Sequence, residues 1–344
     1  MFQNNLDITT VHVKRLLLIK LRYIGDVVLS TPLLPILHKR FPDASLTFLV
    51  NPGTESVLWG NPYLDHIMVL PRENWCQQFE CYQVLRQTRF DGVVDLTDGD
   101  RSAFLSFWTG AAVRLGFNRE NRWRGKLYTR VLPSAYGSMH MVDYHAQALP
   151  AFGISDPVGN PELYLRPEDH DQGDRLMDSL QIGEAPLALL HPPARYANKA
   201  WPLERFAALA DWLADQGAVV ALIGHQSEML IGERIVDLTK SKPRNVMGQT
   251  RLRQLAALMT RSALLIGNDG GPMHMAAAVG CPVLGLFGPS DPYVWGPRGG
   301  NVSVIYKGLD CEKCVHDGCS RGEEGCMRQI SVEEVCRAAR SLLD

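Results

Sequence analysis

The chain has 344 residues, 46% of them apolar, and its 35 basic and 37 acidic side chains give a formal net charge of −2. This length favours two domains, each with its own core, and the near-neutral charge gives no drive towards nucleic acid, which we do not expect as a partner. No apolar run approaches the roughly 20 residues that cross a bilayer, and the N-terminus lacks the pattern of a secretory signal, so we expect a soluble, cytoplasmic protein.

The first half of the chain opens with a βαβ pattern. An apolar strand run over residues 15–20 leads to an amphipathic helix over about 26–39 and a second strand over 45–50. Further strand runs alternate with helical stretches, at 66–70, 92–96 and 113–117. This alternation predicts a mostly parallel, doubly wound sheet, which we assign to a first domain over residues 1–165.

The second half repeats this pattern after a linker. Between residues 156 and 171, prolines and a glycine mix with charged residues and the pattern weakens. The second domain, 166–344, has strand runs at 187–191, 218–223, 263–267 and 283–286 and helices at about 203–216 and 251–260. Ser331 and Glu334 have the capping-box spacing of a last helix. The predicted fold class is α/β, with two doubly wound domains that face each other across a cleft.

The most informative stretch is the turn at residues 268–274, with the sequence NDGGPMH, which follows a strand run and opens a helix. Gly270 and Gly271 let the backbone approach a ligand, and unpaired amides and the helix dipole attract negative charge there. A second turn at 287–292 follows the next strand run, so both strand ends reach the crevice where open α/β sheets bind ligands. The pattern predicts a phosphate site. His274 is suited either to donate to an oxyanion or to pack as a neutral core group.

Charged side chains follow three of the predicted strands. Asp26 begins the helix after the first strand, where it serves either as an N-cap or as a general base. Lys199 lies in the loop after the first strand of the second domain, with Arg195 nearby, and the pair suits a diphosphate, although a solvated loop lysine is the alternative. Glu228 is placed to accept hydrogen bonds from a ribose, or simply favours the first turn of a helix.

Two clusters have less specific patterns. Four thiols near the C-terminus have the spacing Cys-x2-Cys-x4-Cys-x6-Cys, at Cys311, Cys314, Cys319 and Cys326. They suffice for a tetrahedral structural zinc site, with reduced thiols or local disulfides as alternatives. A basic arm with interleaved aromatic residues contains Arg119, Arg122, Arg124, Lys126 and Arg130. Such arms are usually solvated surface, but a phosphorylated or membrane-embedded acceptor would give this one a purpose.

Five ordered blocks together resemble the ADP-heptose:lipopolysaccharide heptosyltransferases, which are inverting sugar transferases of the GT-B type with two Rossmann-like domains. The blocks span nearly the whole chain: GD with LSTP in 25–32, FPDA at 41–44, KAWP with ERF in 199–206, ND with GPMH in 268–274, and FGPSDP at 287–292. Residues 20–26 and 95–98 look most like the heptosyltransferase III branch. One departure is that many relatives have Ser or Thr where this chain has Gly270, which removes one hydrogen bond to phosphate.

The resemblance implies transfer of a heptose from ADP-heptose to the inner core of lipopolysaccharide. Asp26 is then the general base, and Lys199 with the glycine turn holds the diphosphate. The expected donor-binding residues are Arg195, Glu228, Asp269, Gly270, Gly271 and His274, and the expected acceptor-binding residues are Arg22, Arg119, Arg122 and Arg124. No cofactor is expected in catalysis, and the four cysteines leave a structural zinc open. The expected location is the cytoplasm of a Gram-negative bacterium, peripheral on the inner face of the inner membrane.

Two alternatives stay open at this point. One is a transferase or epimerase that uses another nucleotide sugar, and the other is a nucleotide-binding module without catalysis. A dehydrogenase is disfavoured, because the first strand leads to residues 20–25 (KLRYIG) and not to a G-x-G-x-x-G turn.

Overall fold

The computed structural model describes residues 13–309, 311, 314 and 319–343. The chain divides into two compact units, Met1–Tyr164 and Leu165–Asp344, and each unit contains one six-stranded sheet. Within the described residues, no helix is both long enough and apolar enough to cross a bilayer.

Unit 1 is built on a parallel sheet with the strand order β3-β2-β1-β4-β5-β6. Its strands are β1 (Arg15–Lys20), β2 (Ser45–Val50), β3 (His66–Val69), β4 (Gly92–Asp95), β5 (Val113–Gly116) and β6 (Arg130–Val131). Its helices are α1 (Ile24–Val28), α2 (Leu33–Arg40), α3 (Trp75–Gln87), α4 (Asp100–Trp108) and α5 (Met141–Ala146). The order reverses between β1 and β4, and open sheets form a ligand crevice beyond the carboxyl ends of strands at such a switch point.

Unit 2 is also built on a parallel sheet, with the order β12-β11-β10-β7-β8-β9. Its strands are β7 (Leu187–His191), β8 (Val219–Leu222), β9 (Arg244–Asn245), β10 (Leu264–Asn268), β11 (Val283–Phe287) and β12 (Val302–Tyr306). Its helices are α6 (Pro167–Ser179), α7 (Leu203–Asp215), α8 (Met229–Leu238), α9 (Leu252–Thr260), α10 (Gly271–Ala278), α11 (Pro292–Trp295), α12 (Cys326–Gln329) and α13 (Val332–Leu343). Here the switch point lies between β7 and β10.

The central strands of both sheets are buried along almost their whole length. In β1 the side chains of residues 16–19 have no exposed surface, and β7 and β10 are equally covered. Continuous apolar strands of this kind are typical of parallel sheets with helices on both faces. The α/β, doubly wound fold class predicted from the sequence is therefore confirmed for each unit.

One predicted helix is divided in the structure. In place of a single helix over 26–39 there are α1 and α2, with a turn at residues 29–32 between them. Pro32 has no N–H to continue the hydrogen-bond ladder, and the hydroxyl of Thr31 donates instead to the carbonyl of Val28 at 2.9 Å. The prediction of one helix was wrong because the apolar periodicity continues through residues 29–32, although Pro32 interrupts the helical hydrogen bonds there.

The last helix begins as its sequence pattern predicted. The backbone N–H of Glu334 donates to Ser331 Oγ at 3.2 Å, directly at the start of α13. Three edge strands escaped prediction, because β6 and β9 have only two residues each and β12 is only partly covered.

Candidate active site

Asp26 lies at the switch point of unit 1, in the first turn of α1 and just beyond the carboxyl end of β1. The helix is preceded by Tyr23 as its N-cap, so Asp26 does not act as the capping residue. Its side chain is 17% exposed and stays open to solvent on one side. The carboxylate therefore lies partly open at the switch point and does not cap the helix.

Lys20 is the last residue of β1 and is almost completely buried, at 2% exposure. Its ammonium Nζ lies 3.5 Å from Asp26 Oδ1 and donates to the carbonyl of Leu96 at 2.8 Å. The same Nζ lies 2.8 Å from Nε2 of His145, a fully buried residue of α5. Each of these contacts restricts the ammonium, so Lys20 is held at a fixed place beside the carboxylate.

The hydrogen bonds of His145 define its form. Its Nδ1 lies 3.2 Å from the carbonyl of Leu29, to which it donates, and this leaves Nε2 as the acceptor for Lys20. Burial and the positive charge of Lys20 lower the pKa of His145 well below its usual 6.5. Burial also lowers the pKa of Lys20, and the charge of Asp26 opposes that shift. His145 is therefore a neutral acceptor that fixes the lysine.

The loop after β4 completes this edge of unit 1. Asp95 is fully buried and accepts from the hydroxyl of Tyr128 at 2.7 Å and from the N–H of Thr97 at 2.8 Å, and burial raises its pKa. The exposed guanidinium of Arg22 donates to the carbonyl of Thr97 at 3.2 Å and reaches that of Asp98 at 3.5 Å. Arg22, which follows β1, is thus held against this loop on the same edge as Asp26.

The predicted basic arm is organised around one buried arginine. Arg124 is 2% exposed, and its guanidinium pairs with Asp98 at 2.8 Å, Asp100 at 3.0 Å and Glu120 at 3.3 Å. Arg119 and Arg122 share the same carboxylates at 3.4–3.7 Å but keep 37% and 50% of their side chains exposed. The arm is therefore an ordered ion-pair network with an internal anchor and two outward-facing arginines.

Lys199 and Asp269 meet at the switch point of unit 2. Lys199 ends a short 3-10 turn after β7, and Asp269 directly follows β10. Their Nζ and Oδ2 atoms lie 2.6 Å apart, with side-chain exposures of 23% and 12%. Asn268 ties the two loops together, because its amide donates to the carbonyl of Pro192 at 2.6 Å and accepts from the N–H of Trp201 at 3.1 Å.

The glycine turn leads directly into α10. Gly270 is the N-cap of this eight-residue helix, and no side chain caps it. The first amides of a helix have no partner within the helix, so this terminus suits an anion. The φ of Gly270 is −173°, an extended conformation open to any residue, and a Cβ there would lie 3.4 Å from Cε1 of His191, an ordinary contact. Backbone conformation therefore does not require glycine at this position.

His191, the last residue of β7, escaped the sequence interpretation. It is 8% exposed, burial lowers its pKa to about 4, and its Nδ1 has no hydrogen-bond partner among the described residues. It therefore lies neutral beside the glycine turn. The sequence feature that could have indicated it is a titratable residue at the end of an otherwise apolar strand. Lys20 has the same feature in unit 1. His145 had no such signal, because it lies 125 residues from Lys20.

The remaining donor-side candidates lie in the same unit. Oε2 of Glu228 accepts from the N–H of His225 at 2.6 Å in a short 3-10 turn after β8. The exposed guanidinium of Arg195 lies 5.3 Å from the centre of the Tyr196 ring. His274 is buried in the first turn of α10, at 5% exposure.

The four C-terminal cysteines are free thiols. Cys314 Sγ accepts from the amide of Asn198 at 3.0 Å, beside Lys199, and burial is the main cause of a raised pKa at Cys326. Among the described residues, no three or more His, Cys, Asp or Glu side chains are grouped so that they could hold a metal ion. A structural zinc at these thiols stays a prediction.

Comparisons with known proteins agree with this architecture. A lipopolysaccharide heptosyltransferase 3 from Escherichia coli is 27% identical over 316 residues, which cover 88% of this chain and 92% of the relative. A glycosyl transferase family 9 structure from Veillonella parvula matches with a TM-score of 0.86 and 25% identity, covering 97% and 99% of the two chains. The structure of E. coli ADP-heptose LPS heptosyltransferase II matches with a TM-score of 0.79 and 24% identity, over 96% and 98%.

The resemblance predicted from the five sequence blocks is confirmed by a family model. The model for glycosyltransferase family 9 (heptosyltransferase) matches residues 79–324, well over half of the chain. The protein therefore belongs to glycosyltransferase family 9, the heptosyltransferase family.

Proposed function

We propose that this glycosyltransferase moves a heptose from ADP-heptose to the inner core of lipopolysaccharide, with inversion at the anomeric carbon and without a catalytic metal. The family and the names of the relatives support the donor and the acceptor class. The observation that carries the mechanism is the partly open carboxylate of Asp26, held by a buried ammonium at the switch point of its sheet.

In the proposed reaction, Asp26 takes the proton of the acceptor hydroxyl while that oxygen attacks the anomeric carbon. The bond from that carbon to the diphosphate breaks, and ADP leaves with the electron pair. General-base assistance of this kind contributes about 10²–10⁴-fold to a rate. Because Lys20 is buried against Asp26 and His145 is buried against Lys20, we assign both residues positioning roles.

Unit 2 is the proposed donor-binding domain. Lys199 and the amides at the start of α10 neutralise the charge that grows on the diphosphate, which is fixed electrostatic stabilisation of a leaving group. Asp269 contacts the donor sugar, and Glu228 contacts the nucleotide. The 2.6 Å pair of Lys199 and Asp269 supports this assignment, since a cation and a carboxylate lie side by side at the switch point of unit 2. Arg195 and His274 are assigned further donor contacts.

Unit 1 is the proposed acceptor-binding domain. The outward-facing arginines of its edge, Arg22, Arg119 and Arg122, suit the carboxylates and phosphates of an inner core. We revise the role expected of Arg124. Its guanidinium is buried among three carboxylates, so a framework role replaces the acceptor contact predicted from the sequence.

No cofactor enters this reaction. The structural zinc suggested by the cysteine spacing is a separate and subordinate prediction, which metal analysis of the purified protein tests. We also propose that the protein works at the inner face of the inner membrane of a Gram-negative bacterium, because the proposed acceptor is anchored there by its lipid.

The test of the function is mass spectrometry of a heptose-deficient lipopolysaccharide core incubated with the protein and either ADP-heptose or ADP-glucose. We expect a mass gain of one heptose with the first donor and no gain with the second. A gain only with ADP-glucose would assign another nucleotide sugar. ADP binding without any acceptor-dependent ADP release would favour a binding module and contradict the proposal.

A further inference from the structure

Six of the large apolar side chains that the described part of the chain leaves exposed lie on two neighbouring helices of unit 1, α3 and α4. Five of them are aromatic, and we call them the aromatic face: Trp75, Phe79, Phe104, Phe107 and Trp108, with exposures of 78%, 52%, 41%, 50% and 37%. An exposed patch of this composition is uncommon on a soluble protein and marks a site of interaction.

The contacts between α3 and α4 make these side chains one surface. Arg101 of α4 donates to Gln78 Oε1 at 3.4 Å, and the indole of Trp108 donates to the carbonyl of Tyr82 at 2.9 Å. Trp75 and Phe79 share the side of α3 that carries Tyr82, because positions 75, 79 and 82 follow the helical repeat. On α4, the rings of Phe104 and Trp108 stack with centroids 6.0 Å apart. The aromatic face therefore runs across the junction of the two helices.

Three arginines lie beside the aromatic face. Arg86 and Arg101 lie at the junction itself, and Arg114 lies 5.6 Å from the centre of the Phe107 ring. The stretch 71–131 contains ten basic and seven acidic residues, whereas the whole chain has a net charge of −2. The segment that carries the aromatic face is thus net basic in a chain that is slightly acidic overall.

The aromatic face also continues into the edge proposed to bind the acceptor. Asp100, the first residue of α4, is paired with Arg124 and Arg122, and Arg22 reaches the adjoining carbonyl of Asp98. Along α4, the first turn therefore belongs to the acceptor edge and the later turns belong to the aromatic face.

We infer that the aromatic face is a docking surface for an anionic lipid bilayer, an inference that rests on the proposed function. Trp and Phe side chains insert at the level of lipid headgroups, and flanking Arg and Lys side chains are attracted to anionic lipids. A bilayer fits better than a protein partner, because the surface adjoins the edge that receives a lipid-anchored acceptor. Docking there brings the acceptor sugars to the arginines and to Asp26.

The test is sedimentation with vesicles of phosphatidylcholine, with and without about 30% phosphatidylglycerol. The test variant is Trp75→Ser/Phe79→Ser/Phe104→Ser, which keeps the indole of Trp108 and its hydrogen bond. The control is Leu230→Ser/Tyr293→Ser, which removes two apolar side chains of unit 2 that are 75% and 65% exposed. If the triple variant has a lower melting temperature than the wild type, the single variant Phe79→Ser replaces it in the sedimentation test.

We expect the wild-type protein to bind the anionic vesicles and to be released by salt, the triple variant to bind about tenfold more weakly, and the control to bind as wild type. Phe79→Ser should give an intermediate loss. Wild-type protein and triple variant should transfer equally well to a delipidated core oligosaccharide, whereas the triple variant should lose transfer to the same core in vesicles.

Three results would overturn the inference. The first is wild-type protein that transfers to the soluble core but does not bind vesicles, which leaves the proposed function intact. The second is equal vesicle binding by the triple variant and the wild type. The third is a wild-type dimer that the triple variant dissociates, which would assign the aromatic face to a second copy of the chain. Absence of wild-type transfer to either acceptor would instead contradict the proposed function.

Discussion

The ammonium of Lys20 lies 3.5 Å from the carboxylate of Asp26, and its other contacts are with buried groups, the carbonyl of Leu96 and Nε2 of His145. A lysine this deeply buried is expensive to keep charged, and burial lowers its pKa accordingly. Buried ion pairs of this kind seldom add net stability. We therefore explain the pair by function: it holds the proposed base in one orientation.

Replacing Lys20 by methionine tests this positioning role. Lys20→Met replaces the apolar stem of lysine by one of similar length but removes the ammonium beside Asp26, so we expect kcat to fall between about tenfold and a hundredfold. ADP affinity should not change, because Lys20 lies in unit 1. The control is Lys39→Met, at an exposed lysine with 75% of its side chain accessible. Rates measured by ADP release that are equal for the Lys20→Met variant and the wild type would remove the positioning role.

His145 should give the folded protein a pH-dependent stability. Its pKa is lowered well below 6.5 in the folded state, by burial first and the charge of Lys20 second, whereas in the unfolded chain it takes up a proton near 6.5. The unfolded state then binds more protons below pH 6.5, so the free energy of unfolding decreases as the pH falls through that window, by up to about 1.4 kcal/mol per pH unit.

The variant His145→Gln removes this titration, and we expect its stability to decline less steeply between about pH 6.5 and 5. His191, whose pKa is lowered to about 4, contributes equally to both proteins. His66→Gln, at an exposed histidine, should keep the wild-type slope. Urea unfolding at several pH values measures the difference, and parallel curves for wild type and His145→Gln would exclude His145 as the source.

Lys199→Ala should weaken ADP binding about tenfold to a hundredfold and slow transfer. The substitution removes a charge-assisted contact worth about 1.5–3 kcal/mol, and it leaves the carboxylate of Asp269 without the cation that lies 2.6 Å away. Lys240→Ala, at an exposed lysine of the same unit, should bind ADP as wild type. Calorimetric titration with ADP measures the affinity. An unchanged affinity of Lys199→Ala for ADP would count against the assignment of Lys199 to diphosphate binding.

Gly270→Ser should strengthen ADP binding by a factor of about two to ten, through one added hydrogen bond. The extended backbone accepts a side chain, and the new Cβ would only touch His191 at 3.4 Å, so the protein should fold normally. Serine at an N-cap is also at least as favourable as glycine. Gly159→Ser, where a Cβ meets nothing within 4 Å, is the control for ADP titration. Weaker ADP binding by Gly270→Ser would contradict this prediction and show that ADP binding requires a residue without a side chain at position 270.

The sequence was most informative where apolar patterning and glycine turns act locally. The strands β1, β2, β4, β7 and β10 lie where their apolar runs predicted, and the turn at residues 268–274 opens α10 as expected. Asp26, Lys199 and Asp269 were found by their positions after strands, since parallel strands direct these positions to one edge.

Contacts between distant segments were not predictable in this way. Lys20 and His145 meet across 125 residues, and no local pattern indicates that a neutral imidazole fixes the ammonium. The sequence suggests that Arg124 is a surface residue of a basic arm, yet Asp98 and Asp100, from a segment 26 and 24 residues earlier in the chain, pair with it and allow it to be buried. In both cases the burial of a charge depends on partners that the fold alone brings together.

The most direct test of the central assignment is a comparison of wild type, Asp26→Ala and Asp43→Ala with ADP-heptose and a heptose-deficient lipopolysaccharide core. Asp43 is an exposed aspartate of the same unit and serves as the control. We predict a heptose-sized mass gain with wild type and Asp43→Ala, a rate at least about a hundredfold lower with Asp26→Ala, and calorimetric ADP binding that is equal in all three. Turnover by Asp26→Ala within a few-fold of wild type would contradict the assignment of Asp26 as the base.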